Sequence, residues 1–164
     1  MRPEPIAPGP GQESVWDYPR PPRVEDVTKR IRIIFNDELI VDTCRSQRIL
    51  ETSHPPSYYI PKSDIKMEYL VPSAHSTFCE WKGRASYYTV QVGDRKVDNV
   101  AWYYSNISPA FESLQDLVGF YPRPMDVCYV GDEKVEPQAG DLYAGWITSD
   151  IVGPFKGGAG TWGW

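Results

Sequence analysis

The run RIRIIF, residues 30–35, sets Ile31, Ile33 and Phe35 on one side and Arg30, Arg32 and Ile34 on the other. A period of two fits a half-buried strand and no helix. Asn36-Asp37-Glu38 supplies turn residues, and LIVDT, 39–43, returns as the second arm of a hairpin. ASYYTVQV, the turn GDRK and VDNVAWYY make a second hairpin, and MDVCYV, GDE and KVEP a third. TFCEWKG, 77–83, reads as a strand closed by Gly83. HPPSYYIP is held extended, because residues before proline avoid the α region and proline fixes its own φ. Short hairpins with few helices predict a mainly β protein built of two small antiparallel sheets.

One or two short helices are expected beside them. SDIKMEYL, 63–70, reads as a helical turn or two capped by Ser63 or Asp64. ESLQDLVGF, 112–120, with the preceding Phe111, places Phe111, Leu114, Leu117 and Val118 on one helical stripe. RSQRILE, 45–51, reads as an irregular or helical link.

The 164 residues suffice for one domain with a real core. Residues 1–28 hold seven prolines and few aliphatics, which predicts an extended arm. Val15, Trp16 and Tyr18 are the sticky part of that arm, suited to a groove on the body or on a second subunit. The body is expected over 29–139. The Gly- and Trp-rich tail, 140–164, is expected to wrap it without regular structure.

Several chemistries can be set aside. A net charge of −5, with no basic cluster longer than TKRIR, argues against nucleic acid as a partner. Cys44, Cys79 and Cys128 are odd in number, far apart and without a CxxC, so neither a disulfide framework nor a thiolate zinc site is expected. Three reduced, mostly buried thiols are expected instead. His54 and His75 lack metal-ligand spacing, so no metal is assigned. GGAGTWGW has neither the preceding strand nor the following helix of a phosphate loop, and no cofactor is implied. No apolar run is long enough to span a membrane, and Pro and Gly occupy the start where a signal peptide needs apolar residues. The expected location is cytoplasmic.

The aromatic hairpin is where a pocket could form. A tight, even-length turn at Gly93-Asp94-Arg95-Lys96 pairs Val92 with Val97, Val90 with Asn99 and Tyr88 with Ala101, an apolar core face. The other face then pairs Gln91 with Asp98, Thr89 with Val100, Tyr87 with Trp102, and Ala85 with Tyr104. It grades from polar to aromatic, as a wall closing on a ligand would. An odd-length turn would shift every partner by one. Lys82, just before Gly83 at a strand end, is placed to point across a cleft mouth. There its ammonium could hold an anion or donate a proton with a lowered pKa. Glu51, His54, Tyr58 and Tyr59 lie in and after the loop leading into HPPSYYIP, and a carboxylate and imidazole near a lysine suit acid–base work.

The succession LETSHPPSYYIP, TFCEWKGRASYY and VAWYY, with the closing WITSDIVGPFKGGAGTWGW, resembles the domain of unknown function 427 family over roughly residues 29 to 137. The resemblance implies a β-tent-like architecture, two antiparallel sheets pinned at one end, akin to the ligand-binding domain of cereblon. That relative holds zinc through paired cysteines and binds ligands in a tryptophan cage. This chain lacks the cysteine pairs, so no zinc is carried over. The family has also been labelled nucleotidyltransferase-like, but no paired carboxylates for magnesium are evident here. By motif match, Glu51, Tyr59, Trp81, Lys82 and Trp102 fall on the family's characteristic positions.

Three readings follow. In the first, the chain binds a small polar molecule in an aromatic cleft, with Trp81, Trp102, Tyr59 and Tyr87 as walls. Lys82 and Glu51 then supply complementary charges, and a cation or planar ring stacks on the tryptophans. In the second, it is an enzyme using Glu51 or His54 as acid–base and Lys82 as anion stabiliser. In the third, it is an interaction module that assembles as a homodimer through its arm and tail, motivated by exposed Trp16, Trp162 and Trp164.

Overall fold

The period-two runs become strands in the computed structural model, which describes residues 2–140 and 142–164. In chain order the strands are β1 (Glu13–Ser14), β2 (Arg23–Val27), β3 (Ile31–Phe35), β4 (Glu38–Thr43), β5 (Ser46–Leu50), β6 (Ser57–Ile60), β7 (Leu70–Cys79) and β8 (Gly83–Val92). There follow β9 (Arg95–Tyr103), β10 (Val118–Phe120), β11 (Val127–Val130), β12 (Glu133–Lys134), β13 (Glu136–Pro137), β14 (Trp146–Ile147) and β15 (Ile151–Val152). The fold is mainly β, but the expected pair of small sheets is not what forms. One sheet has seven strands in the order β2-β5-β6-β10-β9-β8-β7, and a second has four, β12-β11-β3-β4. Two further two-stranded pairs, β1-β15 and β13-β14, tie down the ends.

Two strands that the pattern did not reveal enlarge the first sheet. β5 replaces the expected link at RSQRILE and pairs with β2 on one side and β6 on the other. Its polar Arg48 is tolerated because Glu13, at 2.6 Å, and Glu25 both bind the guanidinium. β10 replaces the second half of the expected helix over 112–120. A 3-10 stretch, Pro109–Leu114, is kinked at Phe111 (φ −119°), Gln115 is extended, and Asp116 turns the chain at φ +63°. The stripe is therefore split: Phe111 and Leu114 pack on one side of the sheet and Val118 on the other. The helix expected at SDIKMEYL is two 3-10 turns, Lys62–Asp64 and Met67–Tyr69, neither with a side-chain cap. Asp64 instead accepts from Thr43 Oγ1 at 2.6 Å and binds Arg45.

Alternation then sorts side chains to two faces of the large sheet. Tyr58, Ile60, Tyr88, Ala101 and Phe120 face the four-stranded sheet and, with Ile31, Ile33, Phe35 and Ile40, make the main core. Their neighbours Tyr59, Tyr87 and Trp102 point the opposite way into a second apolar cluster with Ile49, Ala85 and Tyr104. The candidate site lies on that second face.

The β8–β9 hairpin keeps the expected pairs Tyr87–Trp102 and Tyr88–Ala101. Near the turn the partners differ: Val92 pairs with Arg95 and Val90 with Val97. The loop is shorter than expected, and a bulge between Tyr88 and Val90, with Asn99 at φ +58°, absorbs the difference. The offset is two residues, so Val97 keeps the parity of the core face, whereas Val100, expected opposite Thr89 on the aromatic face, joins the main core beside Ala101.

Arm and tail pack on the body together. Glu13 and Ser14 pair in parallel with Ile151 and Val152, and Val15, Trp16, Tyr18, Leu50 and Ile151 form a third cluster. Trp16 is therefore buried, edge-on to a half-buried Trp164 at 5.7 Å, and of the three tryptophans expected outside only Trp162 is exposed. From the tail, Trp146 enters the main core and donates Nε1–H to the Phe120 carbonyl at 3.1 Å. The thiols are less enclosed than expected: Cys128 is buried, Cys79 half-buried and Cys44 exposed. Among the described residues no helix is long and apolar enough to cross a membrane.

Candidate functional site

Tyr59, Tyr87 and Trp102 reach the same hollow because they occupy matching positions on β6, β8 and β9 of one sheet, with Gly119 of β10 between Tyr59 and Trp102. Gly119 pairs with Trp102 across β10 and β9, and a Cβ there would stand 2.5 Å from the indole. The missing side chain lets the indole lie flat over β10 and donate Nε1–H to the Tyr59 hydroxyl at 3.2 Å. Its ring stands edge-on to Tyr59 at 5.8 Å and tilted against Tyr121 at 5.1 Å.

Lys82 sits in the turn between β7 and β8, followed by Gly83 at φ +107°. Its backbone carbonyl accepts from Ser108 N at 3.1 Å, and its side chain turns inward. The ammonium lies 5.9 Å from the Tyr59 ring centre and 5.6 Å from that of Tyr104. Burial opposes the charge, but Tyr59, Cys79 and Glu51 outweigh it, and the pKa lies above the ordinary lysine value. The direction is opposite to the lowered pKa that proton donation by Lys82 would call for. The same burial, with Tyr59 close by, raises the Tyr104 phenol, and burial beside Tyr87 raises Tyr121 to about 12.

Glu51 and His54 form the opposite rim, from the loop between β5 and β6. Among the described residues Glu51 pairs with Arg20 at 3.3 Å and faces His54 Nε2 at 3.7 Å. His54 Nδ1 lies 3.4 Å from Gln138 Nε2, and that nitrogen also donates to the Lys156 carbonyl at 2.7 Å. Gln138 Oε1 accepts from Gly145 N at 3.0 Å. With its amide oriented by those two backbone groups, Gln138 presents an N–H to Nδ1, so the imidazole proton resides on Nε2 and faces Glu51. Burial first, then the positive charges of Lys156, Arg20 and Lys82, overcome the nearby Glu51 and lower the His54 pKa to about 4. The imidazole is neutral at physiological pH.

These groups line one cavity of about 260 Å³. It brings together Glu51, His54, Tyr59, Lys82, Tyr87 and Trp102, six residues singled out in the sequence. Trp81 is not in the lining; it packs half-buried against the second cluster. Tyr104, Tyr121, Gln138 and Tyr143 complete the walls. Of these only Tyr104 was foreshadowed, as the residue opposite Ala85. Gln138 and Tyr143 come from beyond the strands of the large sheet, and no local pattern marks them. Among the described residues no three His, Cys, Asp or Glu side chains gather to hold a metal ion.

A mainly β chain in which Lys82, Glu51, His54, Tyr59 and Trp102 line one cavity is thus the class that fold and geometry define. The chain belongs to the family described as domain of unknown function (DUF427), whose model matches residues 23–131. That span includes Glu51, His54, Tyr59, Lys82, Tyr87 and Trp102; Gln138 and Tyr143 lie beyond it. No curated protein matches the sequence.

Proposed function

We propose that the chain binds a small molecule in this cavity and holds an anionic or strongly polar group of it at Lys82. The observation that carries this reading is the position of the ammonium, within 6 Å of two tyrosine ring centres and facing a polar hollow. Glu51 is already engaged by Arg20 and faces His54, which leaves Lys82 as the charge turned toward a ligand. The tyrosine faces serve the protein's own ammonium, so a cationic ligand would meet repulsion and an anionic one attraction. In an enclosed site that attraction is stronger than in water.

An acid–base role for His54 has one observation in its favour, the fixed tautomer between Gln138 and Glu51. A pKa of about 4 makes the imidazole a weak base at neutral pH, and binding is the better-supported reading.

Thermal-shift titration with small carboxylates and their neutral amides tests the proposal, because a ligand that prefers the folded state raises its melting temperature. The acids should stabilise the wild type more than the amides do, and Lys82→Met should erase the difference. Equal stabilisation by acid and amide, unaltered in Lys82→Met, would refute the reading.

A further inference from the structure

Tyr87, Tyr121, Leu142 and Tyr143 line the cavity at Lys82 and also a second hollow of about 430 Å³ beside it. The two differ in chemistry. The first gathers Lys82, Glu51, His54 and Gln138; the second is walled by Val100, Pro124 and the tyrosine rings, with His75, Thr77 and Arg123 at its polar positions. The first hollow alone is smaller than the roughly 300–1,000 Å³ usual for ligand sites; the second lies inside that range, and so do the two joined.

We infer that the two hollows form one cleft for an elongated amphipathic anion, with a carboxylate at Lys82 and a flat apolar body running past Tyr87 and Tyr121 to Val100 and Pro124. This rests on the anion site proposed above and adds the shape and polarity of what occupies it.

The shared wall is built to stay in place. The Tyr87 hydroxyl lies 2.9 Å from Thr77 Oγ1, and its ring packs against His75 at 4.7 Å. Tyr121 is held against Trp102 on the other side. Three tyrosines bordering the passage favour a planar body over a branched one, since rings pack best on flat partners. Leu142, 74% exposed at the common rim, is an apolar side chain that such a body would cover.

Benzoate, short enough for the first hollow, and biphenyl-4-carboxylate, which needs both, discriminate the shapes when titrated into the full chain by calorimetry. The longer acid should bind about tenfold tighter or better, from burial of its second ring. Pro124→Trp fills the second hollow from the end that Pro124 lines, which is not part of the cavity at Lys82. It should remove that advantage while leaving benzoate affinity unchanged, and Pro124→Phe should do the same with a different ring. Lys82→Met should weaken both acids. If the longer acid binds no tighter than benzoate, or keeps its advantage in both Pro124 variants, the joined cleft is refuted while the anion site stands. If neither acid binds, both are refuted.

Discussion

His54 ties the candidate site to stability through a single proton. In the folded chain its pKa lies at about 4, against about 6.5 in the unfolded chain. As pH falls below 6.5 the unfolded state takes up the proton first, so this contribution is fully present above 6.5 and is lost progressively down to about 4. The loss amounts to at most about 3 kcal/mol. His54→Gln cannot titrate, so the drop in stability between pH 7 and pH 4 in urea melts should shrink by up to that amount. An identical drop in both proteins would show that the imidazole is not buried as neutral. Arg48 shows why such groups are hard to read from sequence: among RSQRILE it looks like a loop residue, because its partners Glu13 and Glu25 arrive from the arm. Gln138 is hidden for the same reason, since Lys156, Gly145 and His54 meet it only in three dimensions.

Elements whose pattern is local were legible, and those set by a distant partner were not. The β3–β4 hairpin follows from RIRIIF and its turn, and the Tyr87–Trp102 pairing follows from parity along β8 and β9. Strand β10 was masked by leucines at helical spacing; its place between β6 and β9, and the need for Gly119 under Trp102, come from the sheet. The bulge in β9 was also unseen, because Asn99 in a left-handed conformation leaves no mark in the hydrophobic pattern. The bulge brings β9 into the register that pairs Tyr87 with Trp102. Asn99→Val puts a β-branched residue where φ is positive and should cost about 1–2 kcal/mol, whereas Asn99→Gly should be tolerated far better. Chemical denaturation of the two variants checks this. Equal losses would mean that the Asn99 side chain, which accepts from Ser73, matters more than its backbone.

At the scale of the whole molecule, the hollow is closed by sequence remote from the strands that floor it. Arg20 of the arm holds Glu51 and also donates to the Thr52 and Trp164 carbonyls, at 2.9 and 3.1 Å. The tail brings Tyr143 to the lining of the hollow and Trp146 into the core. The arm is therefore a structural part of the site. Trp16→Ala should cost about 3–5 kcal/mol, as for large buried aromatics generally. It should also weaken any acid that binds at Lys82, because Arg20 and Glu51 lose their support. A melting temperature unchanged from the wild type would mean that the arm does not pack as described. The most direct test of the account is the nitrogen NMR signal of the Lys82 side chain during addition of benzoate at neutral pH. The account predicts an ammonium resonance that moves with dose and saturates. A resonance that exchanges with water like a surface lysine, and does not move as benzoate is added, would contradict it.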